Sequence, residues 1–246
     1  MITLPQRLSA VMNMPAFDPI LRQRIGSWQE DQFRKFLIQY EDKIVSKFAP
    51  LLEYEDQRDI GLELFVARMF SSNNCTVVYE PDRDGPDFLL ILDDESFYCE
   101  VRRIRENLPP PSQDWEEYDF PPNLCHKIGD VLCEKFLQMK PGRPNVIYIR
   151  SNRFLLQKVE FDSAITSLMD LAIDHQVAFF RIKGFRDELH FADQASLCSA
   201  IVFHHFWTDV DTDKPYFVSL NASASEPLSP KLVQLLHAAA DMTFKP

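Results

Sequence analysis

The sequence predicts an α/β fold in which a central mixed β-sheet with antiparallel edges is flanked by helices. Three observations lead there: apolar residues recur at helical spacing over roughly the first 70 positions, short β-rich runs separated by charged turns follow from Cys75 to Ile104, and helical and strand patterns then alternate. With 246 residues, 46% of them hydrophobic, the chain is long enough for a substantial buried core. It is expected to form a single domain over 1–246, with a helical extension over 1–52, a core over 53–160 and a C-terminal α/β portion over 161–246 completing the fold.

Residues 1–50 read as largely helical. Ser27 stands before Trp28 as a cap, and Phe33, Phe36, Leu37, Tyr40, Ile44 and Phe48 carry one helical face until Pro50 closes it. A second amphipathic helix is expected from Glu55 to Phe70, ended by the turn-favouring residues Ser71 to Asn74. Cys75 to Glu80, Phe88 to Leu92 and Phe97 to Ile104 then read as three strands of an antiparallel meander, with charged turns at 80–85 and 93–96. Pro109 to Pro111 and Pro121 to Pro122 make 107–123 an acidic loop, since proline cannot continue a sheet. Leu124 to Met139 reads as a helix stopped by Pro141 and Gly142, and Asn145 to Arg150 as a strand. Farther on, Asp162 is read as the cap of a helix reaching Asp174. Ala200 to Phe206 and Tyr216 to Leu220 are read as strands, and Ser229 with Pro230 opens a last helix to about Met242.

Composition excludes several chemistries. The 6 glycines include no pair closer than 13 positions, so neither GxGxxG nor GxxxxGK[ST] can be built and no phosphate cradle of those kinds is expected. The net charge of −11 excludes a surface basic throughout. No apolar run spans a bilayer and MITLPQRLSAVMN lacks the order of a signal peptide, so no membrane partner and a cytoplasmic location are expected. The 5 cysteines contain no CxxC and read as core residues of a reducing compartment.

Chemistry concentrates in Gly85-Pro86-Asp87, which opens one strand, and Glu100-Val101-Arg102, near the end of the next. Alternation along a strand puts Glu100 and Arg102 on one face. A turn centred on Asp94 and Glu95 pairs Asp87 with Arg102, so that all three side chains converge. Two carboxylates held together call for a cation, and a hard divalent ion such as Mg²⁺ suits them. Glu63, on the stripe of Ile60, Ala67 and Phe70 in the preceding helix, is a third acid whose burial needs compensation, as by an ion pair with Arg102 or another arginine.

These motifs and the order of elements from Glu55 to Arg150 resemble the PD-(D/E)XK nuclease superfamily, the restriction-endonuclease-like fold. The resemblance implies metal-dependent phosphodiester hydrolysis of nucleic acid. Asp87, Glu100 and the Val101 carbonyl would bind Mg²⁺ and Glu63 would assist. Arg102 stands where the superfamily has its catalytic lysine. Arginine stays protonated and cannot act as a general base, although it can stabilise developing negative charge. Two readings therefore stand: an active nuclease with arginine in the lysine's electrostatic role or a lysine migrated to Lys127 or Lys135, and a catalytically inactive scaffold, closed by salt bridges from Arg102, that binds or assembles.

Residues 121–160 hold Lys127, Lys135, Lys140, Arg143, Arg150, Arg153 and Lys158 against three acids, a local balance of +4 that leaves −15 elsewhere. With Arg102, Arg103 and Arg105 this segment is either a track for a DNA or RNA backbone or a set of ion pairs with the acidic remainder. Analogy with the superfamily also allows a homodimer. His204 and His205 read as aromatic-strand residues rather than metal ligands, and Asp209, Asp211 and Asp213 as a solvated loop, since a calcium loop would need glycine at Lys214 and glutamate at Leu220.

Overall fold

The computed structural model describes residues 3–82, 85–105, 124–151, 158–205 and 216–241. The loop expected at 107–123, Arg153, Phe206, Trp207 and the acidic stretch at 208–214 lie outside these residues. Among those described, the elements run α1 (Gln6–Met12), α2 (Pro19–Ser27), α3 (Asp31–Gln39), α4 (Glu41–Phe48), α5 (Tyr54–Ser72), β1 (Thr76–Tyr79), β2 (Phe88–Leu92), β3 (Glu95–Ile104), α6 (Leu124–Phe136), β4 (Asn145–Ser151), α7 (Lys158–Ile173), α8 (Val177–Ile182), α9 (Glu188–Ser196), β5 (Cys198–His205), β6 (Tyr216–Leu220) and α10 (Pro230–Ala240).

One six-stranded sheet follows chain order from β1 to β6. The pairs β1–β2, β2–β3 and β5–β6 are antiparallel, while β3–β4 and β4–β5 are parallel. The chain is thus α/β with a mixed sheet whose edges are antiparallel. Each parallel step crosses over through helices, as parallel strands require. The two sheet faces bury separate cores. On one, Tyr79, Phe88, Leu90, Phe97, Cys99 and Val101 pack with α1–α5 and α10. On the other, Ile104, Ile147, Ile149, Ile201 and Phe203 pack with α6–α9.

Several sequence expectations change. The first 50 residues form four short helices. Ser27 ends α2 rather than capping the next helix, because its hydroxyl donates back to the Arg24 carbonyl at 2.7 Å. Asp18 is the N-cap of α2, its carboxylate accepting from the Ile20 and Leu21 amides. From Ile60 to Ser71, α5 is buried on nearly every side rather than amphipathic, since the N-terminal helices cover the flank turned away from the sheet. The Cβ that an alanine would add at Gly61 comes within 2.5 Å of Leu21 Cδ1, which shows how closely α2 docks. Asp162 lies inside α7, paired with Lys158 one turn earlier at 2.5 Å, so it does not start that helix. The helices α8 and α9 have no counterpart in the sequence reading. Ser229 does cap α10, accepting from the Leu232 amide at 3.2 Å with Pro230 behind it. Four of the five cysteines are buried, and all five are free thiols. No helix among the described residues is long and apolar enough to cross a membrane.

Candidate functional site

The meander places the acidic residues. Its second hairpin pairs Leu92 with Glu95 and Phe88 with Cys99, so the turn centres on Asp93 and Asp94. Asp93 takes a φ of 54°, which such a tight turn demands. Relative to expectation the register moves by two residues, which preserves the faces but sets Asp87 across from Glu100 instead of Arg102. Asp87 Oδ2 accepts the Val101 N–H at 2.7 Å, and the carboxyls of Asp87 and Glu100 lie within hydrogen-bonding reach of each other.

Glu100 is 4% exposed. Its Oε2 accepts from Lys135 Nζ at 2.8 Å, and the same ammonium donates to Gln138 Oε1 at 2.7 Å. Among the described residues, no donor reaches the buried Glu100 Oε1. Burial and then the Asp87 charge push the Glu100 carboxyl up to about 7, opposed by Lys135. Arg102 shares the α6-facing side of β3, yet it points to solvent and pairs with Glu134 at 3.0 Å. The salt bridges from Arg102 that would close a degenerate site are not formed. The cation at Glu100 is Lys135, while Lys127 lies about 12 Å farther along the same helix.

Glu63 stands on the opposite layer. Its Oε2 accepts from Lys47 Nζ of α4 at 2.6 Å and from the Tyr79 hydroxyl. The compensating cation is therefore a lysine, neither Arg102 nor another arginine. Burial and then the Asp87 charge raise the Glu63 carboxyl to about 7, against Lys47 and Tyr79. Lys47 also meets Glu80 Oε1 at 3.0 Å and lies 5.0 Å from the centre of the Tyr79 ring. Lys43, one turn earlier, donates to the Tyr79 and Glu80 carbonyls at 3.1 and 3.0 Å. The turn that carries Asp87 is closed at its base by the Glu80 amide donating to the Asp87 carbonyl at 2.7 Å, with Glu80 at a φ of 45°. The Asp87 charge acts on both glutamates, and each glutamate has its own lysine, Lys47 on Glu63 and Lys135 on Glu100.

Among the described residues, no three His, Cys, Asp or Glu side chains are gathered closely enough to hold a metal ion. Asp87 and Glu100 form a pair. Their two carboxylates and the unfilled Glu100 Oε1 fit a hard divalent ion that keeps waters in its shell. Glu63 is engaged by Lys47 and Tyr79 and feels the Asp87 charge. What Val101 supplies to the pair is its N–H.

Among the described residues, the basic side chains do not share one surface. Arg150 is buried, its guanidinium 5.6 Å from the Phe65 ring of α5, whereas Lys135 is buried on the α6 side. Lys140 pairs with Asp82 at 2.8 Å, and Arg143 lies over Tyr98. Arg103 is held by Asp59 and Glu55 of α5, and Arg105 by Asp56 and Asp59. His204 sits among Phe65 and Tyr148 in the core.

Sequence reasoning missed Lys47, Tyr79 and Gln138, and offered Lys135 only as one of two possibilities. The local signal for Lys135 was its spacing within the apolar pattern of α6, three residues after Leu132 and one before Phe136, both core residues. Comparison with protein-family models, with curated proteins and with solved structures finds no match to this chain.

Proposed function

We propose that the chain is a restriction-endonuclease-like, PD-(D/E)XK-type protein that hydrolyses phosphodiesters of nucleic acid with a divalent ion such as Mg²⁺, its lysine supplied by α6 instead of the third strand. The observation that carries this reading is the buried Lys135 ammonium at 2.8 Å from Glu100, with Asp87 alongside and one Glu100 oxygen unfilled. The order α5, β1, β2, β3, α6, β4, an antiparallel meander followed by a parallel crossover, supports the same fold assignment.

Asp87 and Glu100 would hold the ion, which when bound lowers the pKa of a water and neutralises charge on the phosphate. In a strand the N–H and C=O of one residue point to the same side. The Val101 N–H reaches Asp87, so the Val101 carbonyl faces the same gap beyond the end of β2. Lys135 has three N–H donors, of which Glu100 and Gln138 take two. The third is free to orient an attacking water or a phosphate oxygen, and its fixed charge stabilises the developing negative charge. Arg102, exposed and paired with Glu134, has no catalytic part in this arrangement. Five free cysteines, four of them buried, support a reducing, cytoplasmic setting.

The test is cleavage of DNA and RNA oligonucleotides with Mg²⁺ or Mn²⁺. Asp87→Asn and Lys135→Met are expected to lower turnover by about 10² or more, and Arg102→Met to leave it within a few-fold. Cleavage unaltered in Asp87→Asn overturns the proposal. A second reading is supported by the way Lys135 and the Val101 amide already satisfy part of the carboxylate pair: a non-catalytic scaffold that keeps nuclease architecture for binding. Nucleic-acid binding without cleavage in either metal, by wild type and variants alike, selects it.

A further inference from the structure

We infer that Lys47 of α4 is a built-in cation of the site, bridging Glu63 and Glu80 where a second divalent ion would otherwise sit, so that the centre takes one divalent ion, between Asp87 and Glu100. This rests on the metal-dependent reading above.

Three observations argue it. First, the Lys47 ammonium meets both carboxylates, at 2.6 and 3.0 Å, while the Tyr79 hydroxyl donates to the same Glu63 oxygen, Oε2. Its side chain is 25% exposed and rests over the Tyr79 ring, and Lys43 fixes the same helix to the backbone of the Asp87 turn. The ammonium is thus placed, not trailing in solvent. Second, two divalent ions would overfill the charge balance. Glu63, Glu80, Asp87 and Glu100 carry four negative charges when ionised, Lys47 and Lys135 return two positive ones, and Lys43 at the Glu80 carbonyl adds a third nearby. Third, of these acids it is Glu100 that holds a buried oxygen, Oε1, without a donor among the described residues, whereas Glu63 and Glu80 share the Lys47 ammonium. A monovalent ammonium in that position offsets one of the two negative charges of Glu63 and Glu80 without the hydration water that a Mg²⁺ ion would bring.

The experiment is calorimetric titration of the full chain with Mn²⁺ at pH 8, with thermal unfolding to verify folding of each variant. Wild type is expected to bind one ion and to lose it in Asp87→Asn. Lys47→Ala is expected to bind two, and Lys47→Arg and the double variant Lys47→Ala/Glu63→Gln to return to one. Glu63→Gln alone is expected to keep the single ion, with its affinity changed by about tenfold or less, because Glu63 is outside the coordination shell. Two ions in wild type, one ion in folded Lys47→Ala, or loss of the ion in Glu63→Gln overturns the inference. Glu63→Gln preserves shape, so that arm decides even where Lys47→Ala does not fold. Failure of the metal reading itself has a different signature: no ion in wild type, or binding undiminished in Asp87→Asn.

Discussion

Lys135 and Glu100 are 35 positions apart in the chain, and their side chains meet at 2.8 Å with both almost wholly withdrawn from solvent. Removing one member of a buried ion pair strands the other charge, typically at a cost of about 3–5 kcal/mol. Lys135→Met is therefore expected to destabilise the protein by roughly 3 kcal/mol at pH 8, and by clearly less at pH 5, where Glu100 can hold a proton. Urea midpoints at the two pH values check this. Equal losses at both would show that Lys135 acts through packing alone.

The metal-free protein is expected to lose stability as pH rises from about 4.5 to 7. Glu63 and Glu100 titrate near 7 in the folded chain, against 4.5 for the unperturbed side chain, so over that interval the folded state holds protons that the unfolded state has released. Each shift is worth on the order of 3 kcal/mol. Glu30 and Glu55, held low against burial by Arg68 and Arg103, contribute their pH dependence below this window. Denaturation midpoints in EDTA should fall between pH 5 and 7.5, and Glu100→Gln should flatten the decline. A midpoint that rises across the same interval contradicts the assignment.

Arg102 and Arg103 are adjacent and should respond oppositely. Arg103, with its side chain 3% exposed, is held by Asp59 at 2.6 Å and by Glu55 at 2.7 Å. Asp59→Ala leaves that guanidinium short of charge compensation and is expected to cost about 3 kcal/mol. The Arg102 pair with Glu134 is about two-fifths exposed on both sides, and Glu134→Ala is expected to cost less than about 1 kcal/mol. Thermal unfolding of the two variants decides the matter, and comparable losses would refute the distinction.

Gly85→Ala tests the turn that presents Asp87. The added Cβ would lie 2.8 Å from Asp82 Cβ and 3.0 Å from Lys140 Nζ, so the turn must shift. A destabilisation of about 1–3 kcal/mol is expected from the crowding. Because Asp87 is two residues away, Mn²⁺ affinity should fall as well. Unchanged Mn²⁺ affinity in a destabilised Gly85→Ala would separate the turn from the site.

The meander, the alternation that follows it, and the shared face of Asp87 and Glu100 were legible in the sequence because they depend on local period and short turns. A two-residue error in the hairpin register still left the faces right, since strand side chains alternate with a period of two. The same error misassigned the partner of Asp87. Arg102 stands on the expected face, but two residues along a strand is nearly 7 Å, enough to send it to Glu134 instead of the carboxylate pair. Near the N-terminus, the sequence showed that Glu63 needed compensation without showing what provides it.

The sequence by itself determined the α/β class, the mixed sheet with its strands in chain order along the meander, and the two acids at its centre. Only the tertiary structure decided which cations serve them. Lys47 reaches Glu63 across 16 positions and Glu80 across 33, and Lys135 reaches Glu100 across 35. Each contact depends on the rotation and depth at which a helix docks on the sheet or on a neighbouring helix, and those are set by the summed packing of its whole apolar face. Local periodicity identifies that face. It does not say which charged residue at its border will stand opposite a buried carboxylate.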